Sequence, residues 1–200
     1  GSEMCRRDSI QTLDDLSGHT VSIGAEESGT ERNATQILEF AGMPSSLVAT
    51  KNLDYIEATK ELKAGDIDAF FCTAGLTTTV IDELSKECDI RLIPLTDTVI
   101  SKMLESSLAY TSEVIPAGTY TGQTTDINTI GVKSVLITKA DVSDDTIEQL
   151  TSLLFEKENE ISYSNSLKLE LTYDFATDDI PIPFHDGAKR YYKACGYSTN

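Results

Sequence analysis

Apolar positions in the first half of this chain alternate between short strand-like runs and stretches with helical spacing. Val21-Ser22-Ile23-Gly24 is the first strand pattern. From Thr30 to Ala41, the residues Ala34, Ile37, Leu38 and Ala41 recur at the i, i+3, i+4, i+7 spacing of one helix face. Gly42 and Pro44 then supply the stop that a helix C-terminus takes. Leu47-Val48-Ala49 is the next strand. Asn52 or Asp54 caps a second helix carrying Ile56, Ala58, Leu62 and Ala64, with Gly65 as its end. A third strand spans Ile67 to Cys72, a third helix about Thr77 to Glu87, and a fourth strand Ile90 to Leu95. Strands alternating with helices predict βαβ units around a mostly parallel sheet, the α/β class.

The rhythm then changes. Pro116-Ala117-Gly118-Thr119-Tyr120-Thr121-Gly122-Gln123 is a turn-rich loop, and Thr129 to Thr138 is a long β pattern. An amphipathic helix begins at Asp141 to Ser143 and runs towards Glu160, with Ile147, Leu150, Leu153, Leu154 and Ile161 on or near one stripe. Ser143 suits its N-cap, and the acidic pair Asp144-Asp145 suits its positive end. Asp178 to Phe184 is extended, because residues preceding Pro181 and Pro183 avoid the α region. A last helix covers Gly187 to Cys195.

Composition narrows what such a sheet can serve. Two hundred residues make one domain or two small lobes, and 40% hydrophobic content is ordinary globular chemistry. Sixteen basic against 33 acidic residues leave a net charge of −17. A nucleic-acid binder needs a cationic footprint, so nucleic acid is excluded as a partner; an anionic membrane surface is disfavoured likewise. No apolar run reaches the ~20 residues that span a bilayer. Gly1-Ser2-Glu3-Met4 reads as a cloning scar, which would hide a removed signal peptide. Four cysteines without C-x-x-C and two histidines give no metal set. Cys72 closes an apolar run as a small buried hydrophobe, while pairing of Cys5 with Cys195 stays open.

Two strand-to-helix turns carry the chemistry. Gly24-Ala25-Glu26-Glu27-Ser28-Gly29-Thr30 places helix N-terminal amides outward, where they attract anions. Thr30 stands where a P-loop requires lysine, and Glu26, Glu27 and Glu31 oppose a polyphosphate. A single carboxylate suits the corner better, met by the amides of Gly29 and Thr30 and the hydroxyls of Ser28 and Thr30. The plainer alternative is that Ser28 or Thr30 only caps the helix. Cys72-Thr73-Ala74-Gly75-Leu76-Thr77 is the second turn, expected at the same sheet edge. In the Pro116–Gln123 loop, Tyr120 is either a ligand contact or a residue of a hinge or hairpin. His185 is a structural hydrogen-bonder. No nucleophile elbow, zinc motif or dinucleotide fingerprint is found, so no catalytic residue or cofactor is assigned.

Four blocks now resemble a known family. They are Val21-Ser22-Ile23-Gly24 through Ser28-Gly29-Thr30-Glu31 with Asn33, Ile37 and Leu38; Ala69-Phe70-Phe71 with Ala74-Gly75; Ile115-Pro116-Ala117-Gly118-Thr119-Tyr120 with Gly122-Gln123; and Pro181-Ile182-Pro183-Phe184-His185 with Gly187-Ala188, Arg190, Tyr191 and Tyr192. In this order, from about Ile10 to Gly196, they are similar to the TAXI family of solute-binding proteins of TRAP (tripartite ATP-independent periplasmic) transporters.

The resemblance implies a type II periplasmic-binding-protein fold with one βαβ lobe largely complete and the other partly missing: an α/β ligand-binding lobe at 10–125, and at 126–200 a hinge return strand, long helix and C-terminal tail belonging to the other lobe. It implies an extracytoplasmic protein, not an enzyme, that captures glutamate or a dicarboxylate for TRAP membrane permease subunits. Ser28, Gly29, Thr30 and Asn33 would form one wall of the cleft, and Ala74, Gly75 and Tyr120 would line it further. A sensory domain reading the same ligand, or a lobe that binds nothing alone, are the alternatives. Family members carry a longer segment ahead of this point. Without it the strand at Thr129 to Thr138 lacks sheet partners, which predicts a homodimer or a rearranged tail.

Overall fold

Thr20–Ser22 (β1) is the central strand of a three-stranded parallel sheet in the computed structural model, which describes residues 10–156 and 171–199. The order is β2-β1-β3, with Ala49–Lys51 as β2 and Ala69–Phe70 as β3. Thr20, Val21 and Ser22 face Ala49, Thr50 and Lys51 on one side; Val21 and Ser22 face Ala69 and Phe70 on the other. Strand β1 is buried on both faces, with Val21 and Ile23 in one apolar cluster.

Helix Gly29–Phe40 (α1) connects β1 to β2, and Tyr55–Ala64 (α2) connects β2 to β3. Parallel crossovers are right-handed, so stepping outward to β2 and back across to β3 sends the two helices to opposite faces. The two packing clusters show this. On one face Ala34, Ile37 and Leu38 of α1 meet Val99, Ile100 and Met103 of Asp97–Ser106 (α4), together with Leu13, Leu16 and Val48. On the other, Ala58 and Leu62 of α2 meet Ile67 and Leu84, the latter from Thr79–Glu87 (α3). The mixed α/β fold with a parallel sheet is the class expected, compatible with part of a periplasmic-binding-protein-like lobe.

Local signals explain the helix ends. Asp54 caps α2 through Glu57 N–H, while the Glu57 carboxylate returns to Asp54 N–H, a capping box. Gly65 ends α2 at φ 82°, in the left-handed region that glycine adopts without strain. Of the apolar residues on α2, Ala58 and Leu62 are buried but Ile56 faces solvent.

Several expectations change. Ile90 to Leu95 is not a strand; its described ladder bond is Leu95 N–H to the Asn128 carbonyl. Helix α4 and strand Tyr110–Ile115 (β4) follow it without having been expected. The third strand is confined to Ala69–Phe70 rather than Ile67 to Cys72. The late β pattern forms only Ile127–Val132 (β5), paired with β4 in a two-stranded sheet. It therefore has a partner within the chain, in contrast to the unpaired strand expected there. Beyond it, Leu136 and Ile137 are 68% and 74% exposed, and no strand forms at 133–138.

The chain divides into two compact units, Gly1–Gly131 and Val132–Asn200. The second contains Asp144–Glu156 (α5), Tyr173–Thr177 (α6) and Asp186–Ala194 (α7). Ile147, Ala188 and Tyr192 form its buried centre, ringed by Phe155, Tyr173, Phe184 and Tyr191. Ile147 and Thr151 are the buried positions of α5, whereas Leu150 and Leu153 of the expected stripe are exposed. The expected extension to Glu160 and Ile161, and Cys5 with its pairing, lie outside the described residues; Cys195 is exposed. His185 caps α7, its Nδ1 accepting the Gly187 N–H at 3.1 Å, which is the structural role expected for it.

Candidate functional site

The strand order 2-1-3 creates a switch point between β1 and β3, where the chain leaves neighbouring parallel strands towards opposite faces. In open α/β sheets, ligands bind in the crevice outside the carboxyl ends of the strands at such a point. Residues 23–28 leave β1 at this edge and 71–78 leave β3 beside them. The two sequence-predicted turns are thus brought together by topology.

At the first turn, Gly24 has φ 101°, and a Cβ there would lie 2.8 Å from the Cβ of Thr30. Only glycine lets the loop close so tightly over the first turn of α1. Ser28 is the N-cap, its Oγ accepting the Glu31 N–H at 3.1 Å. The Glu31 carboxylate folds back to accept the Glu27 N–H at 2.6 Å and Asn52 Nδ2 at 2.8 Å. Asn52 Nδ2 also reaches the Gly24 carbonyl at 3.1 Å, so one amide side chain ties the loop to the segment after β2. Glu27 sits at φ 60°, a left-handed conformation that a non-glycine residue holds only when its surroundings fix it.

The Ser28 N–H goes to the Ala25 carbonyl, the Glu31 N–H to Ser28 Oγ and the Arg32 N–H to the Ser28 carbonyl. Among the described residues, the N–H groups of Gly29 and Thr30 have no such partner. They are the orphan donors of a helix N-terminus, carrying the positive end of its dipole. Ser28 uses its oxygen as acceptor and keeps its hydroxyl proton. Gly29 is exposed and Ser28 half-buried.

Thr30 is placed differently from expectation. It is buried, with its Oγ1 2.8 Å from the Tyr55 hydroxyl at the start of α2. The Tyr55 oxygen also accepts the Thr73 N–H at 3.0 Å and donates to the Thr73 carbonyl at 2.9 Å. Asn33 Nδ2 lies 3.4 Å from Thr73 Oγ1, and its Oδ1 lies 2.9 Å from the Tyr110 hydroxyl. Tyr110 is equally close to Gln36 Oε1, and its single proton serves one of the two. Ala74 and Gly75 are exposed at the rim of the second turn. Burial pushes the neighbouring Cys72 thiol up to about 11, with a contact to Tyr55 pulling the other way.

Of the seven residues expected at the site, Ser28, Gly29, Thr30, Asn33, Ala74 and Gly75 gather at this edge. Tyr120 is buried and spends its hydroxyl on main chain: it donates to the Leu76 carbonyl and accepts the Thr78 N–H at 3.3 Å. It braces the turn before α3. Gln123 fastens the same loop, its Nε2 within 3.2 Å of the Ile115, Pro116 and Thr125 carbonyls. Tyr55 is the residue that sequence reasoning missed, while Thr73 figures there only within the second turn and Asn52 only as a possible helix cap. Asp54 marks the start of α2, but nothing in the sequence says that the next side chain reaches across to Thr30.

The corner is an open shelf. A groove of about 260 Å³ runs between α2 and α3, lined by Tyr55, Lys60, Lys63, Glu83 and Glu87 among others. Another, of about 440 Å³, lies along Arg91, Pro94 and the 120–127 loop. Neither contains Ser28, Gly29 or Thr30.

The family model of the NMT1-like family matches residues 4–196. The chain belongs to the NMT1-like family. This family is related to periplasmic solute-binding proteins, which gives the NMT1-like chain a solute-binding role in general terms. No described helix of the NMT1-like protein is long and apolar enough to cross a membrane.

Proposed function

We propose that this NMT1-like protein is an extracytoplasmic solute-binding protein that captures a small carboxylate-bearing solute, of the glutamate or dicarboxylate type, without transforming it. It passes that solute to the permease subunits of a TRAP-type transporter, as the four sequence blocks suggest. One observation carries the reading. The Gly29 and Thr30 amides and the Ser28 hydroxyl proton are uncommitted donors clustered at the switch point of the parallel sheet. A carboxylate accepts two or three such bonds, and charge-assisted bonds of this kind are the stronger ones. Polyphosphates do not suit the corner, because Glu26, Glu27 and Glu31 surround it and no lysine follows Gly29. Ala74 and Gly75, lacking bulk, leave room for the body of a small solute beside the amides.

A thermal-shift and calorimetric screen of L-glutamate, succinate and malate, with L-glutamine and succinamide as controls, tests the proposal. Saturable stabilisation by at least one acid is expected. One-site binding contributes roughly 2.7 kcal/mol when ligand is a hundredfold above Kd. A flat response to all three acids, or equal binding of succinate and its diamide, would remove the carboxylate reading.

A further inference from the structure

The two turns that make the shelf come from different strands, and one phenol joins them. We propose that Tyr55 is a positioning residue for the solute site, locking the 73–75 turn onto the N-terminus of α1 through a single hydroxyl; this rests on the solute-binding reading above. The Tyr55 oxygen has one proton and two lone pairs. Besides its contact with the Cys72 thiol, three groups lie within hydrogen-bond distance: Thr30 Oγ1 at 2.8 Å, the Thr73 N–H at 3.0 Å and the Thr73 carbonyl at 2.9 Å. One assignment satisfies all of them. Tyr55 donates to the Thr73 carbonyl, accepts the Thr73 N–H, and accepts the proton of Thr30.

That assignment divides the labour at the corner. The Thr30 hydroxyl proton is spent on Tyr55, so Thr30 offers a solute only its main-chain N–H. Ser28, whose oxygen accepts the Glu31 N–H, keeps the one hydroxyl proton free for a carboxylate. Thr73 is exposed and belongs to neither helix, yet its N–H and carbonyl are both held by the one side chain. Asn33 adds a longer contact to its Oγ1. Tyr55 itself is anchored by the Asp54–Glu57 capping box immediately around it. The shelf width, set by the distance between the Thr30 and Thr73 backbones, thus depends on a group that need not touch the solute.

The experiment compares wild type with Tyr55→Phe and Thr30→Val, and adds Thr30→Ser, which restores the hydroxyl. Calorimetric Kd for L-glutamate and succinate is read with the melting temperature and with hydrogen exchange at the Thr73 amide. Expected are a tenfold or greater loss of affinity in Tyr55→Phe and Thr30→Val and affinity within threefold of wild type in Thr30→Ser. The Thr73 amide should exchange faster in Tyr55→Phe. A lowered melting temperature with unchanged Kd in both Tyr55→Phe and Thr30→Val would make the hydroxyl merely structural and overturn the inference. Should Tyr55→Phe fail to fold, the Thr30→Val and Thr30→Ser pair decides alone. A wild-type protein that binds neither acid instead overturns the solute reading itself, and the positioning role with it.

Discussion

Gly24 and Cys72 show how much of this edge is set by single residues. At Gly24, φ is 101° and an added Cβ would meet Thr30 Cβ at 2.8 Å and Cγ2 at 2.9 Å. Thr30 cannot yield, because it is buried with its hydroxyl held by Tyr55. Gly24→Ala should therefore cost about 2–3 kcal/mol in urea unfolding, the range for strain at a special backbone position combined with overpacking. An unchanged midpoint would show that the loop opens freely. Cys72 makes a pH prediction. Its thiol keeps its proton up to about 11 in the folded chain, against an ordinary 9.0, chiefly because burial disfavours the thiolate. The folded state then binds more protons than the unfolded one between those values. Its contribution is present below pH 9 and lost as pH rises towards 11. Since tyrosines of the unfolded chain also ionise at about pH 10, the comparison is with Cys72→Ala, which should lose less stability than wild type from pH 9 to 11. Parallel stability curves would refute it.

At the scale of elements, the sequence was legible where local chemistry and burial agree. Helix α1 shows its buried face as Ala34, Ile37 and Leu38, and both ends of α2 are marked, by Asp54 and by Gly65 at φ 82°. Legibility failed where apolar composition was not matched by pairing. Ile90 to Leu95 has strand composition but little ladder to join, and at 133–138 the apolar residues Val135, Leu136 and Ile137 remain exposed. Helix α4 escaped notice because the strand expected just before it absorbed the pattern, although Thr96 caps it and Val99, Ile100 and Met103 are buried. The shelf was half legible: its capping residues have local signatures, while Tyr55 and Thr73 meet only through the 2-1-3 strand order. A helix pair supplies the element-scale prediction. A Cβ on Gly187 at the start of α7 would sit 2.2 Å from the Asp144 carbonyl oxygen at the start of α5. Main chain is the obstacle, so Gly187→Ala should cost about 3 kcal/mol and blunt the near-ultraviolet dichroism of Tyr173, Tyr191 and Tyr192, which pack around Phe155. A native tyrosine signal in that variant would mean that the helices slide apart without cost.

For the whole molecule, the dominating quantity is the net charge of −17, which sets the sign of a salt effect. A solute carboxylate on the shelf is held by main-chain amides and a hydroxyl, which carry dipoles rather than a full charge. Its approach, by contrast, is opposed by Glu26, Glu27 and Glu31 nearby and by the excess of carboxylates over the rest of the chain. Local hydrogen bonds are little affected by dissolved ions, whereas repulsion between charges further apart than the Debye length is screened. That length falls from ~30 Å at 0.01 M salt to ~8 Å at 0.15 M. Raising sodium chloride over this range should therefore tighten succinate binding, mainly by a faster association rate, because electrostatic steering acts chiefly on encounter. The dissociation rate should change little. A site built on an arginine or lysine clamp behaves in the opposite sense, since salt weakens the attraction that forms it. Stopped-flow or calorimetric titration across the two salt concentrations distinguishes the cases. Affinity that falls as salt rises would place a cationic side chain against the solute, and the amides of Gly29 and Thr30 would no longer account for its capture.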